Sequence, residues 1–333
     1  MAAYRKALES NPGDIEAREK ISRLSNEKSA PDDPERVRQF EKYISEGRFG
    51  DVEPLLGAYV KEHPKSSWGW YALGYSQFAQ RKIGDSIQAL AKSLELDVRN
   101  AEAHKILGRD LMVVGRLDAA RMEFEQGIQY NPQSAEMHFN LGKLFSIQDS
   151  WVAAREEFEA ALRIDSSYME AWDALGFAKE SLGDGAGAVE SYEKAIALNA
   201  ARKGKFVSAH VNLSAYYNRK GDTERALAYA RAALELDPKC DGAWFQQAKA
   251  DEAEGRLDDA AQALDKAVAL NPRASSYYYV LANVYRRLGK TEDSRTALDS
   301  FMRLQKESNE MEEKRRSLAD RSPSSPQPKN QPD

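Results

Sequence analysis

The sequence has one cysteine, four histidines, no run of 18 apolar residues and no surplus of basic charge, and each shortage removes a class of function. Cys240 alone can form neither an intrachain disulfide nor a multi-thiolate zinc site. Without a long apolar run there is no membrane-spanning helix. The opening residues "MAAYRKALESNPGD" lack the apolar stretch and small-residue cleavage site of a secretion signal, so the expected compartment is the cytoplasm, unless the true start lies upstream. Lys and Arg number 48 against 53 Asp and Glu, and the two signs are interleaved to a net charge of −5. No basic stripe results, and nucleic acid is not an expected partner.

What the sequence has instead is repetition. "GRLDAARMEFEQGIQYNP" at 115–132 returns as "GRLDDAAQALDKAVALNP" at 255–272, a distance of 140 residues, or 4 × 34 + 4. The pairs Leu73-Gly74, Leu107-Gly108, Leu141-Gly142 and Leu175-Gly176 are each separated by 34 residues. Leu213-Ser214 follows after 38, and Gln247-Ala248 and Leu281-Ala282 resume the interval of 34. The four extra residues fall between Ala200 and Phe206, where a lengthened loop is expected. Eight units therefore begin at Asp33, Ser67, Ala101, Ala135, Met169, Val207, Asp241 and Ser275, and the last ends near Ser308.

Within a unit, apolar or small residues recur at positions 4, 7, 8 and 11, then, after a break near 15, at 17, 20, 24, 27 and 28. That spacing predicts two amphipathic helices, A and B. Gly47, Gly115, Gly183, Gly221, Gly255 and Gly289 stand at the break and suit a tight helix-to-helix turn. Small residues at position 20 (Ser86, Ala120, Ala154, Ala188, Ala226, Ala260) allow A and B to approach closely. Pro64, Pro132, Pro238 and Pro272 mark where helix B stops.

This pattern resembles the tetratricopeptide repeat family, most cleanly in the third unit with His104, Leu107, Gly108, Leu111, Gly115, Ala120, Phe124, Gly127 and Pro132. Trp70, Trp172 and Trp244 fill the first of these positions in other units, and the first unit is the most degenerate, with Gln39-Phe40 in place of Leu-Gly. The resemblance covers about four fifths of the chain. It implies an all-α fold, a right-handed superhelical solenoid of antiparallel helix pairs spanning 33–308. Residues 1–32 read as part of a further repeat followed by a helix and a linker, so that the chain starts inside a unit. Residues 309–320 read as a capping extension of the last helix. Residues 321–333 are Pro-, Ser- and Gln-containing without apolar residues, and are expected to be disordered.

No catalytic or cofactor constellation emerges, and the expectation is a non-enzyme with neither cofactor nor metal. His104, His138 and His210 all occupy position 4, one repeat apart, and take the place of tryptophan in sister units; they read as packing residues rather than shared ligands. "GDGAGA" at 183–188 matches the letters of a dinucleotide loop but follows a helical pattern rather than a strand. Asn212-Leu213-Ser214 spells a glycosylation acceptor inside a helix and reads as structural.

Function is expected on the stacked surface. Positions 2, 5, 9 and 12 of helix A form a second stripe about 120° from the packing stripe. In the family that the chain resembles, that stripe lines a concave groove for peptides. Candidate groove residues are Trp68, Tyr71, Tyr75, Phe78, Lys105, Arg109, Phe139, Lys143, Phe177, Phe245, Lys249, Tyr279, Asn283 and Arg286. The competing reading packs these aromatics against neighbouring A helices. A clamp for a C-terminal carboxylate through Lys105, Arg109 and Asn140 is opposed by Glu170. The expected function is a protein-interaction scaffold binding a peptide or protein segment. Alternatives are a regulatory or substrate-presenting subunit of an enzyme or secretion assembly, and a self-associating oligomer.

Overall fold

The computed structural model describes residues 32–320, and among these described residues are sixteen helices and no strand. The half-repeat expected before residue 32 and the tail after 320 lie outside the described residues. The chain forms two compact units, Met1–Ser166 and Ser167–Asp333.

The first unit holds α1 (Pro34–Ser45), α2 (Phe49–Glu62), α3 (Ser67–Ala79), α4 (Ile83–Leu96), α5 (Ala101–Val113), α6 (Leu117–Tyr130), α7 (Ala135–Ile147) and α8 (Trp151–Ile164). The second holds α9 (Met169–Ser181), α10 (Gly185–Ala201), α11 (Ser208–Lys220), α12 (Thr223–Leu236), α13 (Asp241–Ala253), α14 (Leu257–Leu270), α15 (Ser275–Arg287) and α16 (Thr291–Asp320). Odd-numbered helices are the A helices and start within one residue of the eight positions read from the Leu-Gly interval. Many A helices begin behind a side-chain cap: Asp33, Ser66, Asn100 and Ser134 each accept a backbone N–H of the first turn.

Leu-Gly recurs because of packing rather than backbone freedom. A Cβ on Gly108, Gly142 or Gly176 would stand 2.6 Å from a ring carbon of Phe124, Phe158 or Tyr192, the buried position-24 residues of the facing B helices. An aromatic ring at position 24 goes with glycine at position 8, although Gly74 faces Leu90. Ser214 faces a helix with Ala230, and Ala248 one with Leu264. Position 20 closes the same seam: Ser86 Oγ donates to Gly74 O at 2.9 Å, and the alanines at 120, 154, 188, 226 and 260 are fully buried.

The six turn glycines all adopt positive φ, between 70° and 85°. Arg81 (φ 60°) and Asp149 (φ 54°) occupy the same turn position in the second and fourth repeats and bear the cost of that conformation with a Cβ. Arg81→Gly and Asp149→Gly are each expected to raise stability by roughly 0.5–1 kcal/mol, read as a higher urea midpoint.

Helix A buries a broader face than the sequence pattern indicates. Positions 3 and 10, absent from the apolar pattern, are buried as Ala103, Met137, Ala171, Ala209 and Ala243, and as Leu144, Ala178, Ala250 and Val284, because each A helix also meets its neighbours in the stack. The insertion also differs from the lengthened loop expected. Helix α10 runs to Ala201, 17 residues where most other B helices have 14, and only then does the connector 202–207 begin. Asn199 clips that connector down. Its Nδ2 donates to Phe206 O at 3.0 Å and its Oδ1 accepts from Phe206 N at 3.1 Å. Gly204 permits the close approach, since a Cβ there would lie 2.3 Å from Asn199 Oδ1.

Position 4 has a shared role. Trp70 Nε1, Trp244 Nε1 and Tyr278 OH each donate to the carbonyl six residues earlier, that of Pro64, Pro238 and Pro272, at 3.0–3.2 Å. His104 Nε2 makes the equivalent bond to Val98 O at 2.8 Å. Position 4 thereby pins the connector between repeats onto the following A helix.

Candidate functional site

The position 2, 5, 9 and 12 stripe exists on both units, and none of its fourteen candidate residues is fully buried. Lys143, Phe177, Tyr279 and Arg286 are exposed, and the other ten are half-buried. Sequence reasoning set packing against groove exposure; the side chains do both, one edge resting on the neighbouring helix and the other facing water.

In the first unit, α3 supplies the aromatic part. Trp68 stacks 6.3 Å from Phe40 and meets Tyr59 edge-on, which ties it to the N-terminal core. Tyr71 and Tyr75 stack at 6.3 Å and, with Phe78, lie against the apolar cluster of Leu90, Leu107 and Leu111. Burial, with help from Glu102 and Tyr75, pushes the Tyr71 phenol up to about 12, so it is a neutral hydrogen-bonding group at physiological pH.

The next A helices turn the stripe from aromatic to ionic. Arg109 of α5 lays its guanidinium 4.7 Å over the Phe78 ring and reaches Glu136 of α7 at 3.5 Å. Lys105 Nζ lies 2.7 Å from both Glu102 and Glu136. Burial alone would lower the lysine, but these two carboxylates outweigh it and hold its pKa above the ordinary value. Phe139 packs 5.8 Å from Phe158, with Lys143 Nζ 5.5 Å from its ring. Asn140 donates its side-chain amide to Glu136 O at 2.8 Å. The three residues of the imagined carboxylate clamp thus converge on Glu136, and the cations are already met by anions. Glu136 reaches these cations from position 2 of the next repeat, on the same stripe.

In the second unit the stripe is more polar and less continuous. Phe177 is 46% exposed and Tyr279 is 51% exposed, the latter with Phe301 at 5.4 Å. Phe245 is covered by stacking at 4.6 Å on Tyr277, with Lys249 Nζ 5.9 Å from its ring. Arg286 Nη2 reaches Asn283 Oδ1 at 3.4 Å. Between the aromatics lie amides and a carboxyl that the composition did not single out. Asn212 donates to Asp173 Oδ1 at 2.8 Å, and Asn218 donates to Gln246 O at 2.9 Å. Burial, opposed by Asn212 and aided by Glu170, pushes Asp173 up to about 6.

The decoys resolve locally. "GDGAGA" follows helix α9; Gly183 is the positive-φ turn, and Asp184 caps α10 by accepting Gly187 N at 2.9 Å. His104 and His138 meet Glu123 and Glu157 at 2.8 and 2.7 Å, each glutamate nineteen residues further on in its own repeat. Among the described residues no helix is long and apolar enough to cross a membrane.

Tetratricopeptide repeat family models match residues 107–168 and 245–304, residues 170–202, and residues 207–250, together more than half of the chain. No curated protein matches the sequence. Among solved structures, the chain is similar to a tetratricopeptide repeat protein from Parabacteroides merdae, at 15% identity and a TM-score of 0.60, over 74% of this chain and 96% of that one. It is similar to a chain of the APC/C hetero-tetramer Cut9-Hcn1 at 17% identity and a TM-score of 0.59, over 77% of this chain and only half of that one. PilF from Pseudomonas aeruginosa gives a TM-score of 0.55 at 19% identity, over 65% and 97%. With the repeat interval, the glycine-on-ring seam and these matches agreeing, the chain belongs to the tetratricopeptide repeat family.

Proposed function

We propose that the protein is a non-enzymatic scaffold that holds a peptide or protein segment against the A-helix stripe, with its main anchor on α3 and α5. The observation that carries this reading is the half-wet aromatic row Tyr71, Tyr75 and Phe78, flanked by Arg109 and Lys105. Large rings that keep an exposed edge beside an arginine are the groups that dominate binding energy at protein interfaces. The segment placed there is apolar or aromatic at its centre. A free C-terminal carboxylate is disfavoured, because Glu102 and Glu136 already occupy the cations that would grip it. Phe177 and Tyr279 offer a separate anchoring surface on the second unit.

Peptides selected from a displayed random library on the intact protein supply the test. Tyr71→Ala or Phe78→Ala is expected to weaken a selected peptide at least tenfold by isothermal titration, about 1.4 kcal/mol or more. Selected peptides that bind both variants as tightly as the intact chain would remove the first-unit stripe from the account.

A further inference from the structure

The insertion that breaks the 34-residue interval also makes a cavity. Its volume is about 440 Å³, and it lies within the second unit between the extended end of α10, the connector 202–207 and the last turn of α12. Ile196, Ala200 and Leu236 give it apolar walls, and Lys203 and Glu235, of opposite sign, also border it. Lys203 holds a left-handed backbone angle (φ 51°), and the Asn199 amide secures the connector, so the cavity is bounded by constrained backbone.

His210 also lines this cavity. It stands at position 4, where Trp70, His104, Trp244 and Tyr278 donate to the carbonyl six residues back. The lengthened connector changes what lies six residues back, and His210 has lost the arrangement seen in the sister repeats. It is 8% exposed, and its Nδ1 is buried without a hydrogen-bond partner. Nδ1 is sealed from solvent and beyond a ligand's reach, whereas Nε2 is neither sealed nor bonded and is the nitrogen that a group in the cavity can meet. Burial also lowers the His210 pKa, which keeps the ring neutral and able both to donate and to accept.

We infer that this cavity is a binding site for a phenol group, its ring against Ile196, Ala200 and Leu236 and its hydroxyl on the His210 imidazole. The walls call for a flat apolar body, and the opposite charges of Lys203 and Glu235 favour no net ligand charge. A single hydroxyl matches a neutral imidazole in either direction. The phenol is either a free small molecule or a tyrosine side chain of a bound peptide.

The test titrates the full-length chain with 4-methylphenol, with toluene and with N-acetyltyrosine amide, following by NMR the His210 imidazole resonances and the backbone amide resonances of the connector 202–207, the latter serving for the variants as well. Saturable shifts with 4-methylphenol or the tyrosine amide, at least tenfold tighter than toluene, are expected, because a site built to bond a hydroxyl rejects the analogue without it. The tighter of the two hydroxylated probes identifies the source. His210→Phe, which retains an aromatic ring but no nitrogen, is expected to erase the tenfold preference. His210→Trp, the side chain of sister repeats, is expected to fill the space and abolish binding. Absence of saturable shifts, or toluene binding as well as 4-methylphenol to the unaltered chain, overturns the assignment; the toluene comparison decides it even if a variant fails to fold.

Discussion

Replacing Glu123 by Ala is expected to cost the fold about 3 kcal/mol, and adding His104→Trp to the same chain to recover most of it. His104 and Glu123 are both fully buried, with His104 Nδ1 2.8 Å from the carboxylate. Because His104 Nε2 faces a carbonyl, which can only accept, that nitrogen carries hydrogen. A second proton must then lie between Nδ1 and Glu123, since two acceptors would repel at 2.8 Å. The pair therefore carries no net charge, and removing one member strands a buried polar ring, a loss typically of 3–5 kcal/mol for a full ion pair and less when the partner can neutralise itself. The chain itself supplies the rescue. Repeats with Trp70, Trp244 or Tyr278 at position 4 have Ala89, Ala263 or Ala297 at position 23, whereas His104 and His138 come with Glu123 and Glu157. Urea unfolding followed by helical circular dichroism measures both steps. A double variant no more stable than Glu123→Ala would mean that the histidine–glutamate and tryptophan–alanine pairs are not interchangeable solutions to one packing problem.

Asp110→Ala is expected to act in the opposite direction, stabilising the protein by about 2 kcal/mol at pH 7, with the gain fading in acid. Asp110 is fully buried, at the position where sister repeats carry Leu144, Ala178, Ala250 and Val284, and neither carboxylate oxygen has a hydrogen-bond partner. Burial pushes its carboxyl up to about 6, and the opposing influence of Ser86 and Arg109 does not cancel this. Ser86 directs its own hydroxyl to Gly74 O. Since the native state keeps its proton to about pH 6 and the unfolded chain releases it near 3.8, the folded form binds more protons in between. Stability contributed by this residue is thus present below about pH 4 and is lost as pH rises through 6. The measurement is the melting temperature of both chains from pH 4 to 7.5. Parallel curves would show that Asp110 ionises no differently in the folded state.

Much of the fold was legible because it follows from local rules repeated eight times. The Leu-Gly interval located the A helices to within one residue, and the six turn glycines were identified by position alone. What escaped depends on neighbours that a single helical pattern does not contain. Positions 3 and 10 are buried by adjacent repeats, so Asp110 reads in sequence as one more surface acid. Arg81 and Asp149 take the left-handed turn despite their side chains. The insertion enters helix α10 because Ala200 and Ala201 favour helix continuation, and the helix ends just before the left-handed Lys203. For the stripe, the sequence pattern carried the positions but not their depth. Tyr71, Tyr75 and Phe78 sink halfway because α5 packs beside α3, and Lys105 and Arg109 are pre-engaged because Glu136 arrives from the next repeat.

The A-helix stripe is the surface on which we propose that this protein meets its partners. The most direct measurement uses the intact protein as bait in lysate of its own cell, beside a chain carrying Tyr71→Ala, Phe139→Ala, Phe245→Ala and Tyr279→Ala whose helicity matches the intact form. Captured proteins are identified by mass spectrometry. Partners held by the intact protein and lost from the four-fold variant are expected; partners held equally by both would contradict binding on the stripe and place it elsewhere.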